Sequence, residues 1–195
     1  MNAFWLWFST GIEHILDLKG YDHILFVTLL VLTYCFNKWS RLLMLITAFT
    51  VGHSVSLALS VINDLRLHQP IVEFLIALSI LLSAIYHLVN YKNPETQKSY
   101  FLYFIVCFFG LIHGLGFSLM LKSMLGTGQN VILPLLYFNL GLEVGQLIIV
   151  LFVVVFSLLL AFIYKFPFKI YKLIVVCLIG FISLKISVER FLELF

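Results

Sequence analysis

Charged residues are scarce in this sequence. Asp, Glu, Lys and Arg make up 11% of the 195 residues, whereas they make up about a quarter of a typical soluble domain. This scarcity and the mean hydropathy of +1.11 exclude a soluble domain and predict an integral membrane protein. The alternating pattern of a transmembrane barrel is absent, so the spans are predicted to be helices. The net charge of +3 gives no indication of nucleic-acid binding.

Cysteine is also scarce. The three cysteines, Cys35, Cys107 and Cys177, are far apart and form no CxxC pair. Isolated cysteines in apolar segments are most often small buried side chains. The sequence therefore predicts neither a disulfide framework nor a thiolate metal site.

Long apolar segments occur six times, each with about the 20 residues that a helix needs to cross a bilayer. Residues 3–18 form a shorter segment that contains Glu13, His14 and Asp17, and they predict an interfacial helix or a re-entrant segment. The predicted fold is an all-α polytopic membrane helix bundle, with one transmembrane domain over residues 1–195. The predicted spans are about 20–37, 41–62, 70–91, 100–121, 131–163 and 171–192.

The Lys and Arg residues of the short loops predict the orientation, because they are enriched on the cytoplasmic side of a membrane. Seven follow spans one, three and five, and five lie on the other side. Both termini are therefore predicted to lie outside the cytoplasm. The N-terminus lacks the basic region and cleavage site of a signal peptide, so it is predicted to be retained.

The few ionisable residues inside the spans fall at compatible depths. Given the rise per residue of an α-helix, His53 and His113 each lie roughly 13 Å from the outer end of their spans. Asp22 and His23 begin span one at its outer end, and Glu143 lies near the mid-plane in span five. An isolated charge in hydrocarbon costs about 2.5–3.5 kcal/mol. These side chains are therefore expected to face one another in a buried polar site that opens outward.

Histidines and carboxylates without thiolates are ligands for a borderline divalent metal such as Ni²⁺, Co²⁺, Zn²⁺ or Fe²⁺. A Cu(I) site would need Cys or Met, and a Ca²⁺ or Mg²⁺ site would need more oxygen ligands. Simpler roles stay open for single residues, because a lone His often joins two helices by a hydrogen bond and a carboxylate often caps a helix. The predicted metal ligands are His23, His53, His113, Asp22 and Glu143.

Other polar residues are predicted to orient these ligands or to line the entrance of the site. Asn139, Glu143 and Gln146 share one face of span five, because their spacing is i, i+4 and i+7. Glycines around His113 allow close helix packing. The residues predicted for these supporting roles are Glu13, His14, Glu73, Asn139, Gln146 and Ser56.

Five motifs, in this order, resemble the HupE/UreJ family of bacterial membrane proteins. They are "GIEHI…GYDHILF", "AFTVGHSVSLAL", "VEFLIALSI", "GLIHGLGFS" and "FNLGLEVGQ", within residues 11–150. The resemblance implies a protein of the bacterial cytoplasmic membrane that takes up nickel or cobalt. It also implies that the family's motif positions are His14, Asp22, His23, His53, Glu73, His113 and Glu143.

Two functions are compatible with such a site. The first is a permease with Ni²⁺ or Co²⁺ as substrate, in which Ser79, Ser83 and His87 on span three line the route inward. The second is an intramembrane zinc- or iron-dependent hydrolase or acyl transferase that acts on a lipid or lipoprotein, with Glu143 or Asp22 as general base. A scaffold whose polar network fixes helix register is a third alternative. The expected partners are the bilayer and a metal ion, and a homo-oligomer is left open. The family resemblance favours the permease.

Overall fold

The computed structural model describes residues 2–34, 38–63, 68–91, 99–125, 131–165 and 167–195. Within these ranges the chain forms seven helices and no strand, which confirms the all-α helix bundle. Cys107 and Cys177 are free thiols, and Cys35 lies outside the described residues. The helices are α1 Ala3–Leu16, α2 Asp22–Tyr34, α3 Trp39–Ile62, α4 Gln69–Val89, α5 Ser99–Met124, α6 Ile132–Tyr164 and α7 Phe168–Leu192.

The surface of the bundle is apolar, as a lipid environment requires. Among the described residues, four helices (α3, α4, α6 and α7) are long and apolar enough to cross a membrane. Helix α2 and the described apolar part of α5, Tyr103–Ser118, are shorter. Phe152 on α6 and Phe181 on α7 are more than two-thirds exposed. Large exposed apolar surfaces of this kind mark contact with a membrane, so the chain is a multi-pass membrane protein.

Contacts between helix ends show how the helices run relative to one another. Tyr34 at the end of α2 contacts both Arg41 at the start of α3 and His87 at the end of α4. Glu73 near the start of α4 pairs with Arg190 near the end of α7. Helices α2 and α4 therefore run in the same direction, opposite to α3 and α7. We call the end of the bundle where α4 begins the pocket face, and the other end the opposite face.

Glycines bring α3 and α5 into direct backbone contact. A Cβ added at Gly52 on α3 would overlap the carbonyl oxygen of Cys107 on α5, and Gly114 on α5 lies equally close to the backbone of His53. Residues without a side chain allow this approach between two parallel helices. The contact therefore brings His53 of α3 and His113 of α5 to the same level of the bundle.

A second glycine contact packs α1 lengthwise against α6. Gly11 on α1 and Gly141 on α6 each lie close enough to the other backbone that a Cβ would overlap a carbonyl oxygen, and Ile15 lies against Gly145 one turn further. The two helices are therefore parallel. They run toward the opposite face, because α6 is antiparallel to the α7 that follows it. Helix α1 therefore lies alongside a candidate span, and the assignment of residues 3–18 as an interfacial or a re-entrant segment stays a prediction.

Helices α1 and α2 run in the same direction and are joined by residues 17–21. The helices have 14 and 13 residues, so each is about 20 Å long, shorter than the hydrocarbon core of about 30 Å. Within the predicted first span, 20–37, the described helix covers Asp22–Tyr34. Interrupted spans of this kind place helix ends and their polar groups inside a membrane protein. Asp22 and His23, at the start of α2, take this position.

Candidate metal centre

Asp22, His23 and His113 come together where the start of α2 meets α5. Oδ1 of Asp22 lies 3.2 Å from Nδ1 of His23, and its Oδ2 lies 3.9 Å from Nε2 of His113. One potential ligand atom of each residue lies within 4.8 Å of the other two. A tetrahedral ion with bonds of about 2.1 Å holds its ligands about 3.4 Å apart. Small side-chain rotations would therefore let one ion contact all three residues.

Two further imidazoles extend this trio toward α1 and α3. The ring centre of His14 is 4.8 Å from that of His23 and 5.6 Å from that of His53. The ring centres of His23 and His113 are 5.2 Å apart. His23, His53 and His113 are each at most 4% exposed. We call these five residues, His14, Asp22, His23, His53 and His113, the histidine cluster.

Several ring nitrogens of the histidine cluster have no hydrogen-bond partner among the described residues. They are both nitrogens of His23, both of His53, and Nε2 of His14 and of His113. The contact between His23 and Asp22 is close but lacks hydrogen-bond geometry. A buried polar atom without a partner costs about 1–3 kcal/mol, and native proteins contain few of them. A metal ion bound by these nitrogens would remove that cost, so the donor set fits a borderline divalent metal.

A backbone carbonyl fixes the orientation of His113. Its Nδ1 lies 2.8 Å from the carbonyl oxygen of Phe109, one turn earlier on α5. A carbonyl only accepts, so Nδ1 carries the proton and Nε2 keeps a lone pair. Metal-binding histidines are typically held in this way. The lone pair of His113 lies on the side of Asp22.

A cavity of about 360 Å³ connects the histidine cluster to the pocket face. All cluster members except His53 line it. The α1–α2 connection contributes Asp17 and Lys19 to the lining, and the ion pair between Glu73 and Arg190, with an N–O distance of 3.0 Å, lies at the mouth. A small ion can therefore reach the cluster from the pocket face through this cavity.

The predicted carboxylates and amides outside the cluster have other surroundings. Glu143 is half-buried on α6 and lies outside the trio, so its assignment as a ligand stays a prediction. Glu13 is exposed on α1. Oε1 of Gln146 accepts a hydrogen bond of 2.9 Å from Thr50, which links α6 to α3. Oδ1 of Asn139 is buried without a partner among the described residues.

The other supporting residues divide between the cluster and the mouth. His14, which was predicted at the entrance, lies inside the cluster. Ser56 donates a hydrogen bond of 2.9 Å to the carbonyl of His53, and Glu73 accepts one of 3.1 Å from Gln69 at the mouth. Arg190 was not among the predicted site residues, and the signal for it was a cation near the end of the last predicted span, 171–192, on the same side of the membrane as Glu73 at the start of the span 70–91.

Apolar helices around a buried group of imidazoles and a carboxylate define a polytopic membrane protein with a candidate transition-metal site. The sequence matches the family described as HupE / UreJ protein over residues 1–192, nearly the whole chain. The chain therefore belongs to the HupE/UreJ family, and the resemblance carried by the five motifs is confirmed. No curated protein and no solved structure matches it significantly.

Proposed function

We propose that this HupE/UreJ protein is a permease that carries Ni²⁺ or Co²⁺ across the bacterial cytoplasmic membrane, from the pocket face to the opposite face. The observation that carries the proposal is the trio of Asp22, His23 and His113 at the inner end of a cavity from the pocket face. The distribution of Lys and Arg in the loops supports an extracytoplasmic pocket face, with both termini on that side.

The chemistry of the trio suits capture of such an ion. Imidazole nitrogen and carboxylate oxygen bind borderline divalent metals well, and the trio contains no thiolate that would favour Cu(I). Asp22 supplies negative charge, and its side chain is 26% exposed, so it is the member of the trio that an ion in the cavity meets first. The buried rings of His23 and His113 then replace water ligands of the ion, with His14 and His53 close enough to take part.

Uptake into lipid vesicles tests this proposal. The protein is reconstituted with a metal-sensitive dye inside the vesicles, Ni²⁺ or Co²⁺ is added outside, and dye quenching is followed. We expect uptake by the wild type to be lost in His23→Ala and His113→Ala. The matched control is His68→Ala, because His68 is an exposed histidine at the start of α4. Uptake by both cluster variants at the rate of the control would contradict the proposal.

The size of the cavity favours a second candidate function. At about 360 Å³, it falls within the range of small-molecule pockets, about 300–1,000 Å³, and exceeds what a bare ion needs. A zinc or iron ion on Asp22, His23 and His113 would keep a position for water. Such a site would suit a hydrolase or acyl transferase acting on a lipid or lipoprotein, with Glu143 or Asp22 as general base.

Metal retention separates the two candidates. The protein is purified in detergent without added metal, and its metal content is measured before and after brief chelation. About one zinc or iron per chain that resists chelation would favour the enzyme, because a resident catalytic metal is released slowly. Little metal as purified, with reversible binding of added Ni²⁺ or Co²⁺, would favour the permease.

A further inference from the structure

We propose that His87 is a second binding position for the transported ion, between the histidine cluster and the opposite face. This inference rests on the proposed permease function and extends it, because it assigns the route by which the ion leaves the cluster. The sequence predicts that His87 lines the route inward together with Ser79 and Ser83, and the new element is a binding position for the ion at His87.

A second cavity, of about 240 Å³, continues the line of the first one. On α4 the first cavity is lined by residues within 69–80 and the second by residues within 82–87. On α5 the first is lined by residues within 113–120 and the second by residues within 104–109. Because α4 and α5 run in opposite directions, both shifts point toward the opposite face. The second cavity therefore lies nearer the opposite face than the first, and its lining includes the exposed side chains of Leu82, Phe104 and Phe108.

Aromatic side chains separate the two cavities. Phe26 on α2 and Phe109 on α5 line the second cavity, and their ring centres are 6.2 Å apart. The ring of Phe26 also lies 6.2 Å from that of His113, a ligand candidate of the first cavity. Phe26 is 1% exposed, so it fills the space between them. A rotation of Phe26 would open a connection from His113 to the second cavity.

His87 lines the second cavity in the same orientation that His113 has in the first. Its Nδ1 lies 2.5 Å from the carbonyl oxygen of Ser83, one turn earlier on α4. Nδ1 therefore carries the proton and Nε2 keeps a lone pair. His87 is 4% exposed, and its Nε2 is buried without a hydrogen-bond partner among the described residues. In both histidines a carbonyl holds Nδ1, and the lone pair of the buried Nε2 is left unused among the described residues.

The chemistry of Nε2 indicates which occupant the second cavity takes. The remaining lining is mostly aromatic and aliphatic, so an acyl chain would fit its shape. An acyl chain, however, offers nothing that binds a lone pair, whereas a metal ion does.

His87→Asn tests the assignment, because the shorter amide can still donate to the carbonyl of Ser83 but has no equivalent of Nε2. We expect the variant to bind Ni²⁺ at the histidine cluster with unchanged affinity, measured by calorimetry in detergent. Its Ni²⁺ uptake into vesicles is expected to fall about tenfold or more, the loss typical of a disrupted metal site. His68→Asn is the matched control and should transport like the wild type.

Leu30→Trp provides an independent variant, because Leu30 also lines the second cavity and a larger side chain there reduces its volume while the His87 side chain is kept. We expect the same result, unchanged cluster affinity with slow uptake, and this variant decides the question if His87→Asn does not fold. Uptake by folded variants at the rate of His68→Asn would overturn the second position and leave the permease standing. Loss of cluster affinity in His87→Asn would also overturn it. Absence of uptake by the wild type would overturn the permease function and this inference together.

Discussion

The two halves of the bundle differ in the number of polar side chains in their interiors. The half near the pocket face holds four imidazoles and a carboxylate, with the ring centres of His14 and His23 only 4.8 Å apart. In the half near the opposite face, the second cavity is lined mostly by aromatic and aliphatic side chains, with His87 as its imidazole. The polar half coincides with the interruption between α1 and α2. Under the proposed permease function, ion capture would occur near the pocket face, and the far half would form a barrier with one intermediate position at His87.

The largest expected effect comes from breaking the helix contact that assembles the polar half. Gly110→Val would place a side chain against the backbone of Phe49, which cannot move away without separating α3 from α5. We expect a loss of about 3 kcal/mol, the upper end of the usual cost of overpacking, in the free energy of unfolding, measured by unfolding in detergent. The matched control is Gly180→Ala on α7, where a Cβ would make an ordinary contact with Ala84. Equal stability of the two variants would contradict the packing described here.

Removing the charge of Asp22 is expected to weaken metal binding without unfolding the protein. Asp22→Asn keeps the size of the side chain but removes the carboxylate that approaches both His23 and His113. We expect Ni²⁺ affinity to fall by about 10- to 100-fold, measured by calorimetry. Asp17→Asn is the control, because Asp17 lines the same cavity from the α1–α2 connection. An equal loss in both variants would show that the general negative charge of the cavity matters, rather than ligation by Asp22.

The depth of each ionisable residue in the membrane could be predicted from the sequence, because the order of the spans and the helical rise per residue determine it. In the structure the ring centres of His23 and His113 are 5.2 Å apart, and that of His53 lies 6.1 Å from His23, outside the trio. Which side chains turn toward one another depends on helix rotation, which the glycine contacts set and the sequence does not show. For that reason Glu143, although at a suitable depth, lies outside the trio.

The position of α1 could not be predicted for a related reason. Its sequence shows a short apolar segment with Gly11 in it, but not that Gly11 packs on Gly141 of a helix far along the chain. This contact directs α1 into the bundle and brings His14 to the rings of His23 and His53. The sequence alone therefore placed His14 at the entrance.

A moderate effect is expected from the hydrogen bond that ties α6 to α3 beside the cluster. Thr50→Val removes the donor to the buried Oε1 of Gln146, and an unpaired buried acceptor costs about 1–3 kcal/mol. We expect the free energy of unfolding to fall by about that amount, with Ni²⁺ affinity nearly unchanged. The control is Thr33→Val. It removes a hydrogen bond within a single helix, from Thr33 to the carbonyl of Leu29, and breaks no contact between helices. A large loss of Ni²⁺ affinity in Thr50→Val would mean that Gln146 helps to hold the metal.

The smallest effect is expected at the mouth of the first cavity. Glu73→Gln removes the ion pair with Arg190, and exposed pairs contribute less than about 1 kcal/mol. We expect unchanged Ni²⁺ affinity and a small decrease in uptake rate that disappears at high salt, because screening weakens the attraction of the mouth for cations. Glu193→Gln, at the other carboxylate bound by Arg190, is the control. A salt-independent loss of affinity in Glu73→Gln would place Glu73 among the metal ligands.

The central claim is that His113 and its neighbours in the polar half bind one divalent ion. The most direct test is a calorimetric titration of the metal-free protein in detergent with Ni²⁺, comparing the wild type, His113→Ala and His68→Ala. We expect about one bound Ni²⁺ per chain for the wild type and for His68→Ala, and none for His113→Ala at the same concentrations. Full stoichiometry and affinity in a folded His113→Ala variant would contradict it.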